Sequence, residues 1–282
     1  MFSFASARGA VLLALVGGTW AHATAEGQAI PARSTDYLFT ATTEDVRGTW
    51  LNPAGLAVVP AASIMAELVL DRVLSDGTRL GQWTAGFASR GVSFVYQRDR
   101  IPNEDANQAF RVAGALPFRR GAVGAAFTFY ESDRTERGFD IGLRYRPLPR
   151  VDLAAVVRHI GKPTIRGQTL PVTAVVGAGW RSARNVLELA GDVFVAEDLS
   201  GSGVDVTYHV GARLTLPGRF PIGAISALDL ASNVRINRWA LGIQLGGNTR
   251  GVAMVSGAKR MGTVEVERIS LTGIVARPLA PR

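Results

Sequence analysis

Nearly everything after residue 62 repeats one pattern: about ten residues of alternating character, cut by turns. Phe139, Ile141, Leu143 and Tyr145 alternate with Asp140, Arg144 and Arg146. Val204, Val206, Tyr208, Val210, Ala212, Leu214 and Leu216 alternate with Asp205, Thr207, His209, Arg213 and Thr215. Successive side chains of a strand point to opposite faces, so each segment has one apolar and one polar face. A small soluble barrel would turn the apolar face inward. Long strands behind an export signal favour the inverted arrangement, with apolar residues toward lipid and polar ones toward a lumen.

That signal is read over residues 1–25. Arg8 supplies the charge, Ala10 to Trp20 the apolar core, and Ala23-Thr24-Ala25 a small-x-small cleavage site before Glu26. The apolar run is too short to span a bilayer as a helix. A second uncharged stretch, Gly48 to Ala66, contains Asn52, Pro53 and Pro60, which would break a helix and strand an amide in lipid. The expected location is the outer membrane of a Gram-negative envelope.

The alternation resolves into about fourteen strands, twelve being the alternative count: 63–73, 80–88, 91–100, 108–117, 121–131, 136–146, 151–159, 171–181, 186–196, 203–216, 221–232, 237–245, 250–257 and 264–276. Short connections such as Ser89-Arg90 and Phe118-Arg119-Arg120 alternate with longer ones such as Ile101 to Asn107 and Ile160 to Leu170. Outer-membrane barrels keep that rhythm, with tight periplasmic turns and longer outer loops. Trp83, Phe110, Phe118, Tyr145, Trp180, Phe220 and Trp239 fall near expected strand ends, where interfacial aromatics sit. The expected organisation is a signal peptide (1–25), an N-terminal hatch segment (26–62), a transmembrane antiparallel β-barrel (63–276) and a C-terminal tail (277–282). In 264–276 the apolar phase changes around Arg268, so the last strand is either bulged or outside the barrel.

The hatch segment does not alternate. Thr43-Glu44-Asp45-Val46 reads as the opening of a short helix, and Asn52-Pro53-Ala54-Gly55 as a turn. The run Thr43 to Ala57, with Asn52-Pro53-Ala54-Gly55-Leu56-Ala57 just before the first strand, resembles a segment of bacterial long-chain fatty-acid transporters of the outer membrane. The related (PorV-like) shuttle proteins of type IX secretion carry it too. The resemblance implies a fourteen-stranded barrel with a hatch in its lumen. It implies that Asn52, Pro53, Ala54 and Gly55 shape the substrate path, unless they only anchor the segment under the first strand. The closing aromatic common at the C-terminus of such barrels is missing.

The expected lumen-facing charges are of mixed sign: Asp140, Arg144, Arg146, Asp152, Arg158, Arg181, Glu188, Asp192, Asp205, His209, Arg213, Asp229 and Arg238. Charges at membrane depth must face protein or water. Mixed signs suit cross-lumen ion pairing, and the arginines could also meet a fatty carboxylate. Cysteine is absent, which excludes disulfides, thiolate metal sites and cysteine nucleophiles. No catalytic motif surrounds His159 or His209, so no enzyme, cofactor or metal is expected. The net charge of +8 is spread singly over strands and turns, which does not favour nucleic acid. Expected partners are outer-membrane lipid and a small hydrophobic ligand or an envelope protein. The function expected is porin-like passage of a small hydrophobic molecule; the alternative is a non-transporting scaffold or secretion component, or the membrane module of a larger periplasmic assembly.

Overall fold

The computed structural model describes residues 37–58, 61–73, 77–100, 106–131, 134–199, 203–247, 249–260 and 263–278. The signal-peptide assignment, residues 26–36 of the hatch segment and residues 279–282 of the tail lie outside the described residues.

Alternation yields strands almost throughout: β1 (Ala61–Val73), β2 (Gly77–Ser89), β3 (Val92–Asp99), β4 (Asn107–Phe118), β5 (Gly121–Glu131), β6 (Thr135–Leu148), β7 (Val151–Ile160), β8 (Thr164–Ile165), β9 (Gln168–Thr169), β10 (Thr173–Arg181), β11 (Leu187–Glu197), β12 (Val204–Leu216), β13 (Ile222–Leu230), β14 (Ile236–Gly246), β15 (Thr249–Arg260) and β16 (Thr263–Pro278). Fourteen of them form one closed antiparallel barrel, and β8 and β9 make a separate small hairpin within the β7–β10 connection. Closure runs from Ala61 opposite Pro278 to Asp71 opposite Arg268, leaving no free sheet edge between β1 and β16. The count is fourteen, and the last strand belongs to the barrel.

The phase change at Arg268 is a bulge. Ser256 pairs with Arg268 and the adjacent Gly257 with Val266, so Glu267 is the extra residue. A second bulge passes over Gly81, between Val69–Gln82 and Leu70–Leu80. Both lie near the loop end of the barrel. Beyond them the strands continue, so the connections expected at 74–79 and 258–263 shrink to 74–76 and 261–262. At the opposite end the tight turns are retained; Arg90 and Gly91 both take positive φ in the turn between β2 and β3.

The outer surface is apolar. Ile64, Leu116, Ile141, Val176, Leu241 and Val275 are among the exposed residues, while Gly138, Asp140, Gly142 and Arg144 of β6 are buried. That inversion of the soluble pattern, around a closed barrel, is the signature of a lipid-facing wall. Phe118, Tyr145, Trp180 and Phe220 are exposed toward the turn end. Trp83, Tyr96 and Phe110 pack together toward the loop end, with centroids 4.9 Å apart at each contact.

Candidate functional site: the segment inside the barrel

Residues 37–58 contribute no strand. They run through turns, a single helical turn α1 (Gly48–Leu51) and a 3-10 turn at Pro53–Ala57, and all but Glu44, Ala57 and Val58 are buried. The helix begins later than Thr43-Glu44-Asp45-Val46 suggests. The Asp45 carboxylate instead accepts from the Arg47 backbone N–H (3.0 Å) and from Arg47 Nε (2.8 Å).

One anchor is Asn52, which is wholly buried. Its Nδ2 donates to the Thr40 carbonyl (3.2 Å) and to the Leu143 carbonyl of β6 (3.1 Å), while its Oδ1 accepts from Ala54 N–H (3.0 Å). One side chain therefore fixes the segment's own turn and ties it to the wall. The wall makes room with glycine. A Cβ on Gly142 would lie 2.1 Å from Asn52 Oδ1, and one on Gly124 would lie 2.5 Å from Ala54 N. Gly55 is equally cramped, with a Cβ meeting the Thr43 carbonyl at 2.4 Å. The Asn-Pro-Ala-Gly motif is thus a close-packed contact between segment and wall.

Charge adds further ties. Glu44 Oε1 meets Arg144 Nη2 at 2.6 Å, Arg146 Nη2 at 3.2 Å and Arg181 Nη2 at 3.1 Å. The same three arginines share Asp152, and Arg181 also pairs with Glu188 (2.9 Å). Asp45 pairs with Arg47 and with Arg250 of β15, each at 2.7 Å. Burial alone would raise the Asp45 carboxyl, but the two guanidiniums hold it well below the usual carboxylate range. Arg111 of β4 pairs with Asp140, donates through Nε to the Thr49 carbonyl (2.6 Å), and lies 5.1 Å from the Trp50 ring. Asp192 accepts from the Thr40 N–H (2.9 Å) and hydroxyl (2.6 Å), and Arg158 Nη2 donates to the Leu51 carbonyl (2.8 Å).

Apolar contacts complete the seat. Val46, Trp50 and Leu56 pack with Met65, Val95 and Ala126 in one cluster. Tyr37, Leu38 and Phe39 pack with Ile225, Ala227 and Met254 in another.

The structure thus brings Asn52 into place with six of the thirteen charged candidates in direct contact with the segment, Arg144, Arg146, Arg158, Arg181, Asp192 and His209, and with Asp140, Asp152 and Glu188 one contact further out, through the arginines. His209 lies 2.5 Å from Asp229 and stacks on Phe39 at 4.4 Å. Arg213 reaches Glu188 only at 3.8 Å, and Arg238 lies 3.7 Å from Glu267. Asp205 is exposed near the loop end of β12. Sequence reasoning did not single out Arg111 and Arg250 as site residues, although each sits in an alternating strand. It also missed the pairing roles of Glu44, Asp45 and Arg47, which lie in a stretch without periodicity.

A cleft of about 390 Å³ opens at the turn end, lined by Ala57, Val58, Arg144, Arg146 and Asp152 among others. A larger hollow of about 690 Å³, lined by residues such as Val210, Leu228, Trp239 and Leu241, lies in the wall of β11–β14 and is bordered mainly by lipid-facing side chains. It is part of the outer surface, away from the ion pairs.

Solved structures supply the comparison. The CymD monoaromatic hydrocarbon channel superposes with a TM-score of 0.56 at 10% identity, over 84% of this chain and 93% of that one. The Pseudomonas putida toluene transporter TodX gives 0.52 at 10% identity, over 83% and 94%. The chain shares their barrel fold. No family model and no curated protein matches the sequence. The apolar outer belt places the barrel in a bilayer, and bacterial barrels of this kind are outer-membrane proteins.

Proposed function

We propose that the protein passes small hydrophobic molecules across the outer membrane, with the N-terminal segment acting as a hatch. The observation that carries this reading is the seating of the Asn52-Pro53-Ala54 turn against two wall glycines, Asn52 at Gly142 and Pro53-Ala54 at Gly124. The described contacts between segment and wall are largely side-chain hydrogen bonds, ion pairs and packing, with no shared strand ladder. An element held that way can move without unpairing the barrel. The shared fold with two hydrocarbon channels supports the choice of substrate class.

In this mechanism the closed state is the one described here. A hydrophobic molecule entering from the loop end competes for the apolar contacts of Trp50 and Leu56. Displacement of the Asn52 turn then opens a path past Gly124 and Gly142. Arg111, Arg144, Arg146 and Arg181 keep carboxylate partners on the wall at Asp140 and Asp152, whereas Arg158, Asp192 and Arg250 give up a partner on the segment when it moves.

The test is flux of toluene into liposomes carrying the purified barrel. Transport faster than through protein-free vesicles, and faster again in Asn52→Ala, supports the proposal. Flux equal to that of empty vesicles in both proteins contradicts it and leaves a non-transporting scaffold as the better reading.

A further inference from the structure

Among the described residues, the exposed charges in the turns at the turn end of the barrel are of one sign. Arg90 stands in the β2–β3 turn, Arg119 and Arg120 in the β4–β5 turn, and Arg150 in the β6–β7 turn. Arg184 stands in the β10–β11 turn, Arg219 in the β12–β13 turn, and Arg277 near the end of β16. All are exposed, and the described residues of these turns include no aspartate or glutamate. The carboxylates nearest that end, Glu44, Asp152 and Glu188, are engaged inside by Arg144, Arg146 and Arg181. The rim arginines therefore project outward without a local counter-charge.

The loop end is different. There Lys162 meets Glu197 at 2.7 Å, and exposed Arg134 and Arg137 stand beside Glu131 and Glu136. Its charges are of both signs. The asymmetry between the two ends is a property of the fold, because tight turns and loops segregate to opposite rims.

The rim arginines also border the lipid-facing belt. Val92, Phe118, Leu148, Trp180 and Phe220 are exposed apolar neighbours of these turns, and Arg219 lies 5.8 Å from the Phe220 ring centre. A guanidinium in this position keeps its stem against the apolar surface and its head at the depth of lipid phosphates. Its planar fork also matches a phosphate bidentately. The arginines are distributed over five turns and the β16 end, so they surround most of the circumference. A folded partner would meet one sector, whereas a bilayer leaflet meets every sector at once.

We infer that this ring is a binding collar for anionic phospholipid headgroups, and since short turns mark the periplasmic side, the lipids are those of the inner leaflet. The collar would fix the depth of the barrel, and it is independent of whether the lumen transports anything.

The experiment uses the full barrel in nanodiscs of equal phosphatidylglycerol and phosphatidylcholine, with native mass spectrometry of the lipids it retains. The ring variant carries Gln at Arg90, Arg119, Arg120, Arg150, Arg184 and Arg219; the control carries Gln at Arg100, Arg134 and Arg137 at the loop end. The wild type and the control should each retain phosphatidylglycerol in at least about threefold excess. The ring variant should show no preference, and added salt should erase that of the wild type by screening. Equal phosphatidylglycerol retention by wild type and ring variant would overturn the inference. So would the absence of any preference in the wild type combined with salt-sensitive binding of polyglutamate, which would point to an acidic protein instead. Should the ring variant fail to fold, a salt-insensitive preference in the wild type would overturn it equally well.

Discussion

The barrel wall and the segment inside it are built by different chemistry. Each barrel strand is paired on both sides by backbone hydrogen bonds, so the wall depends little on any one side chain. The segment has no strand partner, and its position depends on Asn52, on Glu44 and Asp45, and on glycines in the wall opposite. A barrel can therefore keep its wall while its interior element changes place. Side-chain substitutions should separate the two regions.

The largest effect is expected where the regions share a residue. Arg111→Met removes the partner of buried Asp140 and the donor to the Thr49 carbonyl together. Loss of one member of a buried pair costs about 3–5 kcal/mol. Urea unfolding of the reconstituted barrel should shift by an amount of that order, and a shift below about 1 kcal/mol would show that Asp140 finds another partner.

Gly142→Val should divide the regions cleanly. The new side chain collides with Asn52 Oδ1 and Pro53 Cδ. Overpacking of this kind costs about 1–3 kcal/mol, and displacing the segment relieves it. The expected result is faster proteolysis within residues 37–58 with an unchanged mobility shift on boiling. Asn52→Ala should give a smaller release, of about 1–2 kcal/mol, by leaving the Leu143 and Thr40 carbonyls without their donor. Protease protection of the same segment reads it out.

Glu44→Gln should matter less, under about 1 kcal/mol, because Glu44 is partly exposed and Asp152 still faces the three arginines. Conductance noise in planar bilayers is a sensitive readout of such a small loosening. The smallest effect is expected from mild acid at Asp45. A depressed carboxyl stabilises the folded state above its ordinary pKa, and that contribution is lost as pH falls toward the depressed value. Segment protection should therefore be the same at pH 7 and at about pH 4, and fall only in stronger acid. Release between pH 7 and 5 would place the controlling group elsewhere.

The same contrast explains what could be read from the sequence. The wall was legible because alternation is a local signal; Phe139, Ile141, Leu143 and Tyr145 announce their face in four positions. Where a bulge interrupts the alternation, at Gly81 and at Glu267, the alternating pattern stops short of the true ends of β2 and β15. The segment has no period, so Glu44 and Asp45 read as helix-opening acids when their partners, Arg144 and Arg250, lie 100 and 205 residues away. Asn52 stood out only through a motif. The glycines that admit its turn, Gly142 opposite Asn52 and Gly124 opposite Pro53 and Ala54, look in sequence like ordinary strand glycines, because the reason for them is a neighbour distant along the chain.

The most direct test of a movable hatch uses the absence of cysteine in this chain. Thr49 Oγ1 and Ser93 Oγ lie 2.8 Å apart, joining α1 to β3. A Thr49→Cys, Ser93→Cys barrel can be oxidised and reduced in the same liposomes while toluene flux is measured. Flux that falls to the rate of protein-free vesicles on oxidation and returns on reduction is the predicted result. Equal flux in both states would show that molecules cross without moving the segment.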